Sequence, residues 1–283
     1  GIIIGLLMAM VLLGVHVAVS LGITSLVGVY LVTGKITIVE ATIGSTATEA
    51  LRDFTFAVIP LFMLMGEFIG RSGAITDIYV AINRGLKKIP ARLAIATVLG
   101  NTVFSFVTGV SIASAAAFSR IAYPEMKAHG YNRGFSLGAI AGSSCLGMLI
   151  PPSVLMIVWG ILTEQSIGKI FLAGVLPGIL LALLFVLYIV VRALISPDLV
   201  GGISSDISGD EIHVLDGFDS NTVHLDSRSL LISMLGVFGI IGAVLGGIWF
   251  GIFTPTEGAG AGAALALIFA YIEGMRWREF IDA

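Results

Sequence analysis

Two successive prolines, Pro151 and Pro152, interrupt the uncharged run of residues 134–163 near its middle. Proline lacks a backbone N–H and its ring clashes with the preceding turn, so the pair predicts a broken helix. The carbonyl groups one turn earlier, around Gly147 and Met148, are expected to lose their partners and become free ligands. Carbonyl oxygens suit a hard cation such as sodium, and the helix start after the break suits an anion. The alternative is a simple kink without a ligand.

A second irregular stretch lies in the uncharged run of residues 93–119, where Thr108-Gly109-Val110-Ser111 can form a turn. Five basic residues precede this run from residue 71 onward, and three follow it up to residue 133. Short loops rich in Lys and Arg stay in the cytoplasm. Both flanks are therefore expected on one side, which predicts that residues 93–122 form a helical hairpin that dips into the membrane. A single long spanning helix is the alternative.

Serine hydroxyls lie beside both irregular stretches. Ser143, Ser144 and Ser153 flank the proline pair, and Ser111 and Ser114 follow the turn. Small hydroxyls are expected where an ion or a polar substrate is surrounded by protein. The turn and the break together predict a cation site that contains no carboxylate. The alternative is that the serines hydrogen bond to carbonyls of their own helices.

The overall composition predicts a membrane protein. Of 283 residues, 57% are hydrophobic and 12% are charged, whereas soluble domains carry roughly 25% charged residues. The single cysteine, Cys145, excludes a disulfide framework, and a net charge of -3 without a basic stripe argues against nucleic-acid binding. The sequence contains no HExxH, GxSxG or Walker A motif that would indicate an enzyme. We therefore predict an all-α polytopic membrane protein without enzymatic activity.

Apolar segments and capping signals indicate where the other helices lie. Residues 1–34 are uncharged and predict either one tilted helix or two segments broken near Gly14. Further spanning helices are expected over 170–191, 229–253 and 258–272, with a polar, acidic loop over 197–228. Thr254-Pro255-Thr256-Glu257 fits a capping box, with Thr254 as the cap and Glu257 at the third helical position.

Six motifs occur in order along nearly the whole chain: IPLFMLMG at 59–66, GVSIASAAA at 109–117, PEM at 124–126 with Gly130 and Tyr131, LGMLIPPS at 146–153, SIGKIFLAGVLPG at 166–178 and FTPTE at 253–257. This series resembles the large membrane subunit of the tripartite ATP-independent periplasmic (TRAP) transporters, the DctM-like family. As an ordered set, the motifs are highly specific. The resemblance implies an elevator-type fold of the ion transporter superfamily, with a re-entrant hairpin and a proline-broken helix in each of two inverted repeats.

The resemblance also implies a division of the chain and roles for its residues. Residues 1–92 would hold N-terminal membrane helices and a cytoplasmic amphipathic segment, and 93–169 the first half of the transport domain, with hairpin 93–122 and broken helix 134–163. Residues 170–228 would form a spanning helix and a cytoplasmic loop, and 229–283 the start of the second repeat. The implied sodium ligands are Thr108, Gly109, Ser111, Pro151, Pro152 and Ser153. The implied substrate-binding residues are Ser114, Ser143 and Ser144.

The family implies an importer that couples the entry of an organic acid, such as a C4-dicarboxylate or a sialic acid, to sodium. Expected partners are a small (Q) membrane subunit, a periplasmic substrate-binding (P) subunit and the lipid bilayer, and the expected location is the bacterial inner membrane. No cofactor is expected besides sodium as the coupling ion. Family members are longer, so we expect this chain to be a fragment that lacks the second hairpin and the second proline-broken helix.

Two other hypotheses remain open on the sequence. An ion channel or another secondary carrier can use the same hairpin without a binding protein. A membrane scaffold that does not transport would show no effect of sodium on its stability or conformation.

Overall fold

A computed structural model describes residues 1–52, 54–87, 89–201 and 227–275. Within these ranges the chain is helical, without a β-strand and with one isolated β-bridge between Tyr131 and Val200. The prediction of an all-α protein is confirmed. The chain divides into two compact units, Gly1–Phe54 and Thr55–Ala283, whereas the first boundary predicted from the sequence follows residue 92.

The helices of the first unit are α1 (Ile2–Leu12), α2 (Val17–Thr33) and α3 (Ile36–Arg52). The uncharged stretch of residues 1–34 therefore forms two helices, separated near Gly14, whose φ is +81°. The buried face of α2 is made of the small residues Ser20, Thr24 and Gly28. A Cβ on Gly28 would lie 3.1 Å from Ile3 Cδ1, so α1 packs closely against this face.

The described helices of the second unit are α4 (Val58–Arg71), α5 (Ala74–Gly85), α6 (Arg92–Thr108), α7 (Ser111–Ala128), α8 (Arg133–Ser144), α9 (Leu146–Leu149), α10 (Val154–Leu162), α11 (Ile167–Ile195), α12 (Ser227–Trp249) and α13 (Pro255–Ile272). Short 3-10 turns precede α4 and follow α11. Helices α4 and α13 pack closely because α13 is rich in small residues. A Cβ on Gly262 would lie 2.6 Å from Met65 Sδ and 2.8 Å from Val244 Cγ2.

Helices α6 and α7 form an antiparallel hairpin that turns at Gly109 and Val110. The rings of Phe104 and Phe118 lie 6.2 Å apart, and a Cβ on Gly100 would lie 2.7 Å from Phe118 Cε1. The second arm continues to Ala128, past the predicted end at residue 122. It continues because its buried face, Phe118, Ala122 and Met126, keeps a four-residue spacing beyond that point.

The proline pair breaks the next helix as predicted. Asn132 caps α8 with its side-chain Oδ1, which accepts the N–H of Gly134 at 2.9 Å. Helix α9 ends at Leu149, and helical structure resumes at Val154 in α10. Helix α11 supports the break through two glycines. A Cβ on Gly174 would lie 2.7 Å from the Leu149 carbonyl oxygen, and a Cβ on Gly178 would lie 2.5 Å from Ile150 Cγ1.

The capping box predicted at residues 254–257 is confirmed. Thr254 Oγ1 accepts the N–H of Glu257 at 3.3 Å, and Glu257 Oε2 accepts the N–H of Thr254 at 2.9 Å. Pro255 is the first residue of α13, where its missing N–H costs nothing. The Glu257 carboxylate therefore serves to begin this helix.

Five helical segments in the described part of the chain are long and apolar enough to cross a membrane: Phe54–Arg71, Arg133–Leu162, Ile167–Ile195, Leu230–Trp249 and Pro255–Ile272. The chain is thus a multi-pass membrane protein. Helix α6 has 17 residues and extends about 25 Å, somewhat less than a hydrocarbon core of about 30 Å. The entry of the hairpin from the cytoplasm remains a prediction.

Candidate functional site

The hairpin tip and the broken helix meet at Gly109. This residue ends α6 with a φ of +61°, in the left-handed region that glycine adopts without steric cost. A Cβ at this position would overlap the carbonyl oxygen of Pro152, and it would lie 3.2 Å from the α-carbon of Ser153. Backbone thus approaches backbone so closely that only glycine fits.

The tip touches both sides of the break. The Gly109 carbonyl oxygen accepts the N–H of Val154, the first residue of α10, at 3.3 Å. On the other side, a Cβ on Gly147 would lie 3.1 Å from the carbonyl carbon of Val110 and 3.2 Å from the backbone nitrogen of Ser111. The tip therefore lies against α9 before the prolines and against α10 after them.

The six predicted sodium ligands lie in or beside this contact: Thr108, Gly109, Ser111, Pro151, Pro152 and Ser153. All are buried except Ser111, which is half-buried. Thr108 Oγ1 donates to the Phe104 carbonyl at 3.1 Å. A hydroxyl that donates its hydrogen keeps lone pairs for a cation. The residues present fit a sodium site built from hydroxyl and carbonyl oxygens, and their role as ligands stays a prediction.

The expectation that the Met148 carbonyl is a free ligand is wrong. In an unbroken helix this carbonyl would accept the N–H of residue 152, which proline lacks. Ser153 replaces the missing donor, because its Oγ donates to the Met148 carbonyl oxygen at 2.6 Å. The Ser153 hydroxyl therefore supplies the hydrogen bond that the Met148 carbonyl lost at the break. The oxygen of this hydroxyl keeps its lone pairs for a cation.

The predicted substrate-binding residues Ser114, Ser143 and Ser144 are at most 3% exposed. Two of them hydrogen bond within their own helix, since Ser143 Oγ donates to the Ala139 carbonyl at 2.7 Å and Ser144 Oγ to the Ile140 carbonyl at 2.6 Å. Ser114 Oγ is buried without a hydrogen-bond partner among the described residues. In this conformation the three serines are closed to solvent, and contact with a substrate stays a prediction.

The sequence reasoning missed Asn101, which lies in α6 and is fully buried. Its Nδ2 donates to Ser143 Oγ at 2.6 Å and so joins the hairpin to the broken helix. One signal in the sequence marks this residue. Thr97, Asn101, Ser105 and Thr108 follow the three- and four-residue spacing of one helix face within an otherwise apolar run.

A separate polar cluster joins α5, α12 and α13. Ser233 Oγ lies 2.7 Å from Asp77 Oδ2 and 3.4 Å from Glu273 Oε1, and the serine is fully buried. Burial of the Glu273 carboxyl raises its pKa, and the nearby Asp77 carboxylate raises it further, while the Ser233 hydroxyl opposes both effects. Two acidic side chains therefore converge on one hydroxyl at the end of α13.

We expect Glu273→Gln to raise the thermal unfolding midpoint at pH 8 and to leave it unchanged near pH 4. A raised pKa means that the folded state binds the proton more tightly, so the stability of the native protein falls as pH rises through that pKa. The glutamine side chain of the variant does not ionise, so the variant does not lose this stability as pH rises. The measurement is thermal unfolding of the purified protein across that pH range.

Glu40→Gln, in the exposed part of α3, is the control for charge removal alone. An equal stabilisation by Glu40→Gln, or one by Glu273→Gln that does not depend on pH, would contradict the explanation by a raised pKa of Glu273 in the folded state.

A family model described as "Tripartite ATP-independent periplasmic transporter, DctM component" matches residues 4–282. The C4-dicarboxylate TRAP transporter large permease protein DctM of Pseudomonas aeruginosa is 34% identical over 228 residues, which cover 79% of this chain and 49% of that protein. The ectoine TRAP transporter large permease protein TeaC of Halomonas elongata is 28% identical over 96% of this chain and 59% of that protein.

The C4-dicarboxylate TRAP transporter large permease protein DctM of Vibrio cholerae is 30% identical over 94% of this chain and 54% of that protein. The chain thus spans between 49% and 59% of the length of these three relatives. The relatives are named as permeases, in agreement with the absence of enzymatic motifs. Because the family model covers almost every residue, the chain belongs to the DctM family of tripartite ATP-independent periplasmic transporters.

Proposed function

We propose that this chain is part of the large membrane subunit of a sodium-coupled TRAP importer and contains the first of its two inverted repeats and the start of the second. The substrate is an organic acid, and the subunit carries it across the bacterial inner membrane by an elevator movement. A periplasmic binding protein delivers the substrate, and a small membrane subunit supports the large one. The whole activity requires the complete large subunit, since the relatives are longer than this chain.

The contact between the hairpin tip and the proline-broken helix carries this proposal. Gly109, Val110 and Ser111 lie against both sides of the break, and the surrounding oxygens belong to hydroxyl and carbonyl groups. Broken helices in transporters offer such oxygens to sodium and a helix start to an anionic substrate group. A site of neutral oxygens suits a monovalent ion, because no carboxylate offsets the higher cost of dehydrating a divalent ion. The positive charge of the bound ion then attracts the carboxylate of the substrate.

The relatives favour a substrate that bears a carboxylate and do not select one compound. Two are named for C4-dicarboxylates and one for ectoine. Hydroxyl groups and a helix start recognise a carboxylate without any basic side chain, which agrees with the absence of Lys or Arg from residues 93–119. A C4-dicarboxylate is therefore the first substrate to test, and a sialic acid the second.

The decisive experiment is uptake into proteoliposomes that contain the complete large and small subunits, with and without the binding protein. We expect saturable uptake that requires an inward sodium gradient and the binding protein. Flux without the binding protein would indicate a channel or another secondary carrier. No uptake together with no effect of sodium on conformation would indicate a scaffold.

We expect the double substitution Ser111→Ala and Pro152→Ala to raise the sodium concentration for half-maximal uptake by about tenfold, since it removes a hydroxyl and restores a backbone donor at the break. The measurement is the sodium dependence of uptake in the complete transporter. Ser119→Ala, at an exposed serine of the same helix α7, is the matched control. An unchanged sodium dependence in the double variant would remove both residues from the ion site.

A further inference from the structure

The side-chain amide of Asn101 has one atom that is buried without a partner. Its Nδ2 donates to Ser143 Oγ at 2.6 Å, whereas its Oδ1 has no hydrogen-bond partner among the described residues. The Ser143 hydroxyl hydrogen is used at the Ala139 carbonyl, 2.7 Å away, so Ser143 accepts from the amide. The opposite amide orientation would likewise leave one amide atom unpaired. A desolvated amide atom without a partner destabilises the folded state, so a ligand is expected at this position.

The groups around Asn101 present lone pairs and few hydrogens. Along the same face of α6, Thr97 Oγ1 donates to the Leu93 carbonyl at 2.8 Å, and Ser105 Oγ donates to the Asn101 carbonyl at 2.7 Å. On α8, the Ser144 hydrogen is used at the Ile140 carbonyl. Each of these hydroxyls donates its hydrogen inside its own helix. Such an environment suits a ligand that accepts lone pairs and needs no hydrogen-bond donor, and a cation is a ligand of this kind.

We propose that Asn101 Oδ1 is a ligand of a second monovalent cation, held between α6 and α8 with Ser143 Oγ. The residue lies eight positions before Gly109, about 12 Å along the helix, and this separation makes the site distinct from the one at the hairpin tip. All the groups named are uncharged, so the site favours sodium over a divalent ion. This inference rests on the proposed sodium-coupled function.

The test measures thermal unfolding of the purified full-length large subunit against sodium chloride, with choline chloride holding the ionic strength constant. Asn101→Ala removes both amide atoms. Asn101→Asp keeps an oxygen in the place of Oδ1, removes the donor to Ser143 and adds a negative charge. Thr102→Val, at the half-buried residue that follows Asn101 in α6, is the matched control, since its hydroxyl donates to the Val98 carbonyl at 2.7 Å and it lies on a different face of the helix.

We expect Asn101→Ala to raise the half-saturating sodium concentration by about tenfold and to make the sodium dependence less steep. Asn101→Asp keeps the half-saturating concentration at or below that of the native protein, because the carboxylate retains an oxygen ligand and its charge attracts the cation, and Thr102→Val leaves it unchanged. An unchanged sodium dependence in Asn101→Ala would mean that a water molecule alone occupies the position and would overturn the proposal.

Equal losses in Asn101→Ala and Asn101→Asp would also overturn it, because Asn101 would then act only by holding Ser143. Should Asn101→Ala fail to fold, Asn101→Asp is compared with Ser143→Ala. Sodium binding as tight in Asn101→Asp as in the native protein supports the proposal, whereas a loss equal to that in Ser143→Ala would mean that Asn101 acts only by holding Ser143. A native protein that shows no stabilisation by sodium would instead count against the proposed function itself.

Discussion

Gly109→Ala is expected to abolish uptake by the complete transporter and to lower the free energy of unfolding by about 2 to 5 kcal/mol. Two effects add. An alanine at a φ of +61° carries the cost of left-handed backbone, roughly 1 to 2 kcal/mol. Its Cβ would also overlap the Pro152 carbonyl oxygen, and backbone cannot move aside as a flexible side chain does. The measurements are thermal unfolding and sodium-driven uptake in proteoliposomes.

Gly34→Ala separates the two effects. Gly34 ends α2 with a φ of +65°, and a Cβ there would meet no atom within 4 Å. This control carries the backbone cost alone, so we expect it to lower the free energy of unfolding by only about 1 to 2 kcal/mol. Equal destabilisation by the two substitutions would show that the contact with Pro152 adds nothing. Normal uptake by Gly109→Ala would show that the tip does not need to reach the break.

Gly66→Ala is expected to separate α4 from the hairpin tip. A Cβ on Gly66 would lie 2.8 Å from Thr108 Cγ2 and 2.9 Å from the α-carbon of Thr108. The second atom belongs to the backbone, so the tip must shift. We expect a loss of about 1 to 3 kcal/mol in the free energy of unfolding. The half-saturating sodium concentration for uptake should rise as well, because Thr108 is a predicted ligand next to Gly109.

Gly70→Ala is the matched control on the same helix. Its Cβ would lie 3.7 Å from Phe104 Cζ, an ordinary van der Waals distance, so stability and sodium dependence should stay near native values. Adding Thr108→Ser to Gly66→Ala removes the Cγ2 methyl but leaves the clash with the Thr108 backbone, so recovery should be partial. Full recovery of stability and sodium dependence would mean that the clash involves only the Thr108 Cγ2 methyl group. Equal effects of Gly66→Ala and Gly70→Ala would mean that helix propensity, and not the packing against the tip, controls stability.

The irregular points of the helices could be predicted because their causes are local. The break before Val154 follows from two missing N–H groups at Pro151 and Pro152. The start of α13 follows from a hydrogen-bonding exchange between residues three apart, Thr254 and Glu257. Both effects involve one helical turn, so the order of residues is enough to recognise them.

Helix ends set by packing were harder to predict. The basic residue Arg120 marked the end of an uncharged run and led to a hairpin boundary at residue 122, whereas α7 continues to Ala128. Its buried face decides its length, and the partners of that face come from other helices. The hydrogen bond to the Met148 carbonyl was likewise not predicted, because its donor is the side chain of Ser153 and the geometry of the break decides whether that side chain can reach back.

The order of amino acids was enough to identify a multi-pass helical membrane protein of the DctM family, with a turn at Gly109 and a break at Pro151 and Pro152. Helical breaks and membrane segments depend on backbone donors and on side-chain polarity within a few residues, and the order of residues records both.

The packing of the helices was needed to learn which irregular points touch and which polar groups lack partners. Asn101 meets Ser143 across 42 positions of sequence, and Asp77 meets Ser233 across 156. Such pairs depend on how closely helices approach, which small residues at Gly66, Gly109 and Gly147 permit. A glycine in the sequence does not reveal which backbone lies against it, so the approach of the tip to the break and the unpaired Asn101 oxygen appear only after the helices have packed.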